Sequence, residues 1–180
     1  LKKNVFSPQC IRIGEAYMNN NIMNFIKNLG ILADSSALPG RMRRDQEKVF
    51  DWSETNNFPY YPSENNYQKK SQDSGEFLEI PMNTIKMQTS YDKEPILRYV
   101  NLSFIPSLMN EGLNNFIQSK EILVSITHPF ELFKDFKTNE GLISYDINSL
   151  EKNIMNLIKI CEKNNKKINF LKISELISKY

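Results

Sequence analysis

The sequence predicts an α/β protein with a mostly parallel sheet, because strand-like apolar runs alternate with segments of helical periodicity. The strongest strand signal is the run at residues 122–126, which is rich in β-branched side chains and typical of a strand covered on both faces. The strongest helical signal is at residues 148–163, where apolar side chains recur at intervals of three and four. A third observation is a strand–helix–strand order near the start of the chain.

This first crossover begins with a short extended segment at residues 10–14. An amphipathic helix is predicted next, at residues 20–29, with an asparagine as its cap and Gly30 at its end. A brief strand at residues 31–33 follows and ends at Asp34. A strand, a helix and a strand in this order predict a right-handed crossover between two parallel strands.

An irregular insertion is predicted at residues 37–75, where the periodicity is lost and proline, asparagine and serine are frequent. An excursion of this length inside a compact domain is usually functional or disordered, and its many aromatic residues argue against disorder. Aromatic faces beside polar groups suit sugar rings, so Trp52, Tyr60 and Tyr61 are predicted to bind a saccharide. The competing interpretation is that these rings attach the loop to the body of the protein.

The remaining elements continue the alternation, although residues 83–105 carry no clear pattern. We predict, in order, a strand at 76–82, a helix opened by Pro106, the strand at 122–126, a loop at 134–144, the helix at 148–163 with a capping box of Asn148 and Glu151, a strand at 168–171 and a closing helix from Ser174.

Charge and composition argue against several classes of function. The net charge is only +2, which is too small for a typical nucleic-acid-binding protein. No apolar run approaches the roughly 18 residues of a transmembrane segment, and the first residues lack the apolar core of a signal peptide. The expected location is therefore the cytoplasm or the cell envelope.

Potential metal ligands are also scarce. The chain has a single histidine, His128, and two cysteines, Cys10 and Cys161, which lie far apart in no metal-binding spacing. Both cysteines are predicted to be free thiols, with one disulfide between them as the alternative. Because the chain begins with leucine rather than methionine, we expect it to be the later part of a longer protein.

Three polar side chains stand at the ends of predicted strands: Arg12, Asp34 and His128. The carboxyl ends of parallel strands meet at one face of an α/β fold, where catalytic groups collect. A carboxylate beside a histidine fixes its ring and suits it to act as a general acid, and an arginine there can hold an anion. The alternative for His128 is a histidine packed at a strand end for structural reasons.

Five short motifs follow one another along the chain: Cys10-Ile11-Arg12-Ile13-Gly14, Asp34-Ser35-Ser36, Asp51-Trp52-Ser53 with Phe58-Pro59-Tyr60, Phe77-Leu78-Glu79-Ile80-Pro81, and Thr127-His128-Pro129 with Glu131-Leu132. In order and spacing they resemble motifs of the polysaccharide deacetylase family, the NodB-homology group also called carbohydrate esterase family 4. The tail at residues 146–176 is similar to the closing helix of that family, so the resemblance covers nearly the whole chain.

The resemblance implies that residues 1–180 are the carboxyl-terminal part of a distorted (β/α)7 deacetylase barrel. It implies a metal-dependent removal of N-acetyl groups from a surface or cell-wall saccharide. In that reaction His128 would be the catalytic acid, Arg12 would orient the base, and Asp34 or Asp51 would hydrogen-bond the histidine. Trp52, Tyr60 and Tyr61 would line the sugar groove.

One departure from the family is large, because its T-F-D-D and H-x-x-x-H motifs do not occur in this sequence. These motifs supply the base and the metal ligands, so a divalent metal, zinc by expectation, is predicted only for a longer parent and not for this chain. The chain alone is then expected to be inactive and to self-associate through exposed barrel edges. The alternatives are a non-catalytic saccharide-binding or interaction module, and an unrelated α/β domain with a structural histidine.

Overall fold

A computed structural model describes residues 8–46, 49–73, 75–134 and 141–180 of the chain. The described residues form two units. The first unit extends to Met82 and includes Phe170–Tyr180, and the second is Asn83–Asn169. Within the predicted insertion, residues 47, 48 and 74 lie outside the described ranges, as do residues 135–140 of the predicted loop.

The first unit is built on small sheets and two helices. Its elements are β1 (Cys10–Ile11), α1 (Asn20–Asn28), β2 (Ala33–Asp34), β3 (Met42–Arg44), β4 (Val49–Asp51), β5 (Pro62–Ser63), β6 (Asn66–Lys70), β7 (Leu78–Glu79) and α4 (Ile173–Ile177).

A parallel sheet of three strands, in the order β1-β2-β7, forms the centre of this unit. Ala33 pairs with Cys10 on one side and with Leu78 on the other, while Asp34 pairs with Glu79. Ala33 and Leu78 are buried, as expected for neighbours in a covered parallel sheet. The predicted strand–helix–strand order is therefore confirmed, with the two flanking strands paired in parallel.

Local capping explains the position of α1. The Asn19 side chain accepts a hydrogen bond of 2.9 Å from the backbone N–H of Ile22, which satisfies a donor of the first turn. Gly30 follows the helix with a positive φ of 76°, a conformation that costs glycine little. Both predicted helix signals are therefore confirmed.

The predicted irregular insertion is more regular than the sequence indicates. It contains two antiparallel hairpins, β3 with β4 and β5 with β6. Trp52 follows β4, is buried, and donates from Nε1 to the backbone oxygen of Ala16. These strands are too short, and too poor in alternating apolar residues, to give a periodic signal.

The second unit pairs one hairpin with two long helices. Its elements are β8 (Thr84–Met87), β9 (Ile96–Tyr99), α2 (Pro106–Ser119) and α3 (Ile147–Lys163), and a short 3-10 turn lies at Pro129–Leu132. The strands β8 and β9 are antiparallel and occupy the region that carries no clear pattern in the sequence. Buried side chains of both helices and of the hairpin share one hydrophobic cluster.

Gly112 sets the distance between α2 and β8. A Cβ atom at this position would lie 2.9 Å from the backbone oxygen of Lys86 and 3.0 Å from Cδ1 of Ile85. Real Cβ atoms are almost never this close to a backbone oxygen, so the helix reaches the strand only because residue 112 lacks a side chain. From the sequence alone, this glycine counts only as an obstacle to the helix.

The predicted strand at residues 122–126 is wrong, because the segment forms no strand. Its backbone pairs at two places: Val124 accepts a hydrogen bond from the N–H of Asn83, and Ile126 donates one to Val100. Its side chains are only partly buried. The predicted strand at residues 168–171 is wrong in the same way, since no strand is formed there.

The helix α3 agrees with its periodicity, but its predicted cap does not. The N-cap is Asp146, whose Oδ1 accepts a hydrogen bond of 3.1 Å from the backbone N–H of Asn148. The predicted capping box of Asn148 and Glu151 is therefore wrong, since a carboxylate two residues earlier already serves the first turn. The closing helix α4 begins one residue before the predicted Ser174.

The fold class is α/β, as predicted. In the ranges that the structure describes, parallel pairing is confined to the sheet of β1, β2 and β7, and the other sheets are antiparallel hairpins. No (β/α)7 barrel is visible in these ranges. None of the described helices combines the length and the apolar character that crossing a bilayer would require.

Candidate functional site

The predicted site residues are divided between the two units. The first unit holds Arg12, Asp34, Asp51, Trp52, Tyr60 and Tyr61, and the second holds His128.

Arg12 and the segment after Asp34 are neighbours, as expected for the carboxyl ends of parallel strands. The guanidinium of Arg12 donates from Nε to the backbone oxygen of Ser35 at 2.7 Å and from a terminal nitrogen to Ser35 Oγ at 2.9 Å. These bonds fix the arginine fork on the loop that follows β2. The structure therefore brings Arg12 and Asp34 into one region of the first unit.

Asp34 is buried and hydrogen-bonded on every side that the structure shows. Ser36 donates its backbone N–H to Oδ2 at 3.0 Å and its hydroxyl to Oδ1 at 2.7 Å. The Asp34 carboxyl is also hydrogen-bonded to the buried carboxyl of Glu79, which accepts from the N–H of Ala37. Burial raises the pKa of both carboxyls, and the charge of Asp34 raises that of Glu79 further, so the pair shares a proton.

Asp51, at the end of β4, is the more accessible of the two predicted aspartates. Its Oδ1 accepts from the N–H and the hydroxyl of Ser53, and its other oxygen lies 3.3 Å from the guanidinium of Arg44. The Ser53 hydrogen bonds, with a smaller contribution from Arg44, lower the pKa of Asp51. This carboxylate is therefore ionised and serves a local turn.

The predicted sugar-binding rings belong largely to the packing of the first unit. Trp52 is 1% exposed and meets Tyr67 edge-on, with ring centroids 4.9 Å apart. Tyr60 is 3% exposed and donates its hydroxyl to the backbone oxygen of Tyr67. Tyr61 is only partly buried and lies against Gly75. The enclosed positions of Trp52 and Tyr60 favour the competing interpretation, in which these rings attach the insertion.

His128 stands at the start of the Pro129–Leu132 turn, with half of its side chain exposed. The backbone N–H of Glu131 donates to the His128 oxygen at 3.0 Å, and the backbone N–H of His128 donates to Glu131 Oε2 at 2.9 Å. The second of these bonds is the glutamate half of a capping box, and with the first it fixes the histidine backbone to the turn. Pro129 supplies the first position of the turn, where a missing N–H costs nothing.

The ring of His128 is held by the same glutamate. Its Nδ1 lies 3.1 Å from Glu131 Oε1. The carboxylate that the structure shows on the His128 ring is Glu131. That Asp34 or Asp51 hydrogen-bonds the histidine stays a prediction. The spacing of three residues around Pro129 was the signal that could have identified Glu131, because that spacing suits a capping box.

Glu131 is buried, with 2% of its surface exposed, and it is surrounded by donors. Its Oε2 accepts from Asn101 Nδ2 at 2.9 Å and from Ser103 Oγ at 2.8 Å, and both donor residues are buried. Burial raises the pKa of Glu131, but hydrogen bonds from the His128 backbone, Asn101, Ser103 and the His128 ring outweigh it and lower the pKa overall. The result is a buried, ionised carboxylate behind a half-exposed imidazole.

Phe130 completes the surroundings of the histidine. Its ring stacks on the imidazole, with centroids 5.5 Å apart and planes inclined by 29°, and it is 46% exposed. With Nδ1 engaged by Glu131, Nε2 is the ring nitrogen left for chemistry. A histidine held in this manner by a carboxylate is suited to transfer a proton.

The metal that the family resemblance implies finds no set of ligands in the described ranges. There, no three histidine, cysteine, aspartate or glutamate side chains are grouped so as to hold a metal ion. Cys10 and Cys161 are both free thiols. A divalent metal is therefore not assigned to residues of this chain.

No family model, no curated protein and no solved structure matches this chain. The resemblance to polysaccharide deacetylases therefore rests on the motifs of the sequence itself and stays a prediction.

Proposed function

We propose that this chain is the histidine-bearing part of a polysaccharide deacetylase-like hydrolase, which removes N-acetyl groups from a surface or cell-wall saccharide. The observation that carries the proposal is the pair formed by His128, half exposed, and Glu131, buried and ionised. Such a carboxylate fixes the direction of the imidazole, as a general acid requires. The order of the five sequence motifs supports the choice of this family.

The proposed role of His128 follows from the balance of amide hydrolysis. Water oxygen bonds to the acetyl carbon, the C–N bond breaks, and the leaving nitrogen takes a proton as it becomes an amine. His128 delivers that proton from Nε2, while Glu131 holds Nδ1 and keeps the ring oriented. When bound, the divalent metal implied by the family would polarise the acetyl carbonyl. No residue of this chain is assigned as a ligand of that metal or as the base that accepts the water proton.

The first unit is proposed to support the same reaction. Arg12, held by Ser35, would orient a neighbouring catalytic group, and the parallel sheet β1-β2-β7 would be part of a (β/α)7 barrel. A saccharide substrate, self-association through sheet edges and a cytoplasmic or envelope location complete the proposal.

The direct test is acetate release from N-acetylglucosamine oligomers in the presence of zinc or cobalt. Two proteins are compared, this chain and the chain extended upstream in its natural reading frame. We expect release only by the extended form, and we expect His128→Gln to reduce its turnover by about 10²- to 10⁴-fold, the range for loss of a general acid. Lys167→Ala, an exposed site in the second unit, is the matched control and should retain activity.

Three outcomes would contradict this proposal. Full activity of His128→Gln would remove the histidine from the chemistry. Release by the short chain alone would show that the metal-binding residues are not upstream. Inactivity of both forms, together with saccharide binding that needs no metal, would favour the non-catalytic saccharide-binding module.

A further inference from the structure

We infer that Glu131 is a positioning residue that fixes the tautomer of His128, and that the Asn101 amide and the His128 backbone N–H determine which glutamate oxygen faces the ring. The neutral histidine then carries its proton on Nδ1, and Nε2 is the nitrogen that gains and loses protons. This inference deepens the proposed function and rests on it for its catalytic meaning. Its test, in contrast, needs no enzymatic activity.

The first step is the orientation of the Asn101 amide. The backbone N–H of Ser103 lies 2.9 Å from Asn101 Oδ1, and a backbone N–H can only donate. The hydroxyls of Ser103 and Thr127 lie near the same atom, at 2.7 and 3.2 Å. The acceptor end of the amide is therefore fixed at Ser103, and its NH₂ group must face Glu131.

The second step identifies the oxygen of Glu131 that carries no proton. Oε2 lies 2.9 Å from the NH₂ group of Asn101 and 2.9 Å from the backbone N–H of His128. Both partners are donors without an alternative role in this arrangement. A proton on Oε2 would meet these two donors, so Oε2 acts only as an acceptor.

The third step concerns Oε1, which faces Nδ1 of His128 at 3.1 Å. Two arrangements satisfy this distance: a protonated Oε1 that donates to Nδ1, or an ionised carboxylate that accepts from an Nδ1–H group. The donors gathered on Oε2 favour the ionised carboxylate, in agreement with the lowered pKa of Glu131. The proton between the two residues therefore belongs to the histidine, on Nδ1.

The test is nitrogen NMR of the imidazole ring, which is unambiguous because the chain has a single histidine. In the neutral ring of the unaltered chain we expect Nδ1 to have the shift of a protonated nitrogen and Nε2 that of an unprotonated one. An Nε2–H tautomer in this spectrum would overturn the inference. This measurement alone is decisive, even if a variant fails to fold.

Glu131→Gln provides the sharper experiment. The donors on Oε2 will hold the glutamine oxygen in that place, so the glutamine NH₂ group will face Nδ1 and donate to it. The expected result is an inversion of the dominant tautomer, from Nδ1–H to Nε2–H. An unchanged tautomer in a folded variant would overturn the inference.

Two further variants separate positioning from general damage. Glu175→Gln alters a glutamate that accepts at the start of α4 as Glu131 does at His128, since its Oε2 accepts from the N–H of Lys172 at 2.7 Å. This matched control should leave the His128 shifts unchanged. Ser103→Ala removes one of three donors from Oε2 and should preserve the Nδ1–H tautomer; a changed tautomer in either variant would contradict the assignment.

These experiments distinguish failure of this inference from failure of the proposed function. If the tautomer is as expected but His128→Gln leaves acetate release intact, the positioning stands and the deacetylase proposal fails. If acetate release needs His128 but the neutral ring carries its proton on Nε2, the inference fails and the deacetylase proposal stands.

Discussion

Two buried glutamates, Glu79 in the first unit and Glu131 in the second, occupy closely similar surroundings but differ in charge. Each contacts an aspartate or asparagine side chain that also accepts from the N–H of a serine two residues further on and lies 2.7 Å from the hydroxyl oxygen of that serine. The partner of Glu79 is Asp34, and the partner of Glu131 is Asn101. A carboxyl partner requires a shared proton, whereas an amide partner donates one of its own hydrogens.

This difference shows that the partner side chain, a carboxyl or an amide, decides whether a buried glutamate is ionised. Burial raises the pKa values of both Glu79 and Asp34, and the charge of Asp34 raises that of Glu79 further, because two carboxyls in contact cannot both ionise without a large repulsion. The amide of Asn101 instead helps to compensate the charge of Glu131, whose pKa is lowered. Only the second glutamate can hold a histidine by its negative charge.

The largest effect is expected from removing that charge. Glu131→Gln, made in the active, upstream-extended protein of the proposed function, should reduce acetate turnover by about 10²- to 10⁴-fold, because the protonated ring would meet an NH₂ group. The Michaelis constant should change little, since Glu131 is buried behind the imidazole. The measurement is steady-state kinetics. Turnover equal to that of the unaltered protein would show that the two glutamates do not differ in function.

The next largest effect is expected from giving Glu131 a carboxyl partner, as Glu79 has in Asp34. Asn101→Asp places a carboxyl against Glu131 Oε2, so we expect a loss of about 3 kcal/mol in the free energy of unfolding at pH 8. Part of the loss should be recovered at pH 5, where a shared proton is easier to bind. Urea unfolding at the two pH values measures this, with the exposed Asn165→Asp as control. Equal losses at both pH values would contradict a shared proton.

The third prediction concerns the pH dependence of stability that arises from the Glu79–Asp34 pair. The pKa of Glu79 is raised in the folded chain, so its stabilising effect is present below its ordinary value of 4.5 and is lost as the pH rises through the folded value. Glu79→Gln keeps an acceptor for Ala37 and donates to Asp34, and it should remove this loss. At pH 8 we expect the variant to be more stable by about 1–2 kcal/mol. A variant less stable than the parent at pH 8 would disprove the shared proton.

The smallest effect is expected from the reverse change, in which Glu79 receives the kind of partner that Glu131 has in Asn101. Asp34→Asn gives Glu79 an amide partner, but Asp34 uses both of its oxygens to accept from Ser36, so one hydrogen bond of about 1 kcal/mol is lost. The decline of stability with rising pH should become shallower in this variant, since burial still raises the pKa of Glu79 but the charge of Asp34 no longer does. Chemical denaturation between pH 5 and 9 shows whether it does, and a decline as steep as in the parent would mean that Asp34 is not the cause.

The helices of this protein were predictable because their signals are local. The side chain of Asn19, the proline at the start of α2 and the apolar stripe of α3 all act within a few residues. The strands were less predictable, since β1, β2 and β7 each span only two residues and depend on partners far along the chain. The apolar run at 122–126 shows the same limit. Its composition is that of a strand, but the fold around it does not provide the continuous backbone hydrogen bonds that a strand needs.

For the candidate site, the sequence identified the histidine but not its support. His128 is distinctive as the single histidine before a proline, and Glu131 lies within the same short motif. Asn101 and Ser103, in contrast, have nothing in their neighbourhood to mark them, and they reach Glu131 only through the fold of the second unit. The burial of Trp52 is a similar case, since sequence alone does not separate an enclosed ring from an accessible one.

One carboxylate holds both the backbone and the ring of His128, and this has a practical consequence for experiments in solution. The N–H of His128 is bonded to Glu131 Oε2, so its exchange with solvent deuterium depends on whether that oxygen is negatively charged. A single amide thus reports the ionisation of a side chain that is itself buried. Ligand titrations followed at this one amide would reveal events at the imidazole before any product is detected.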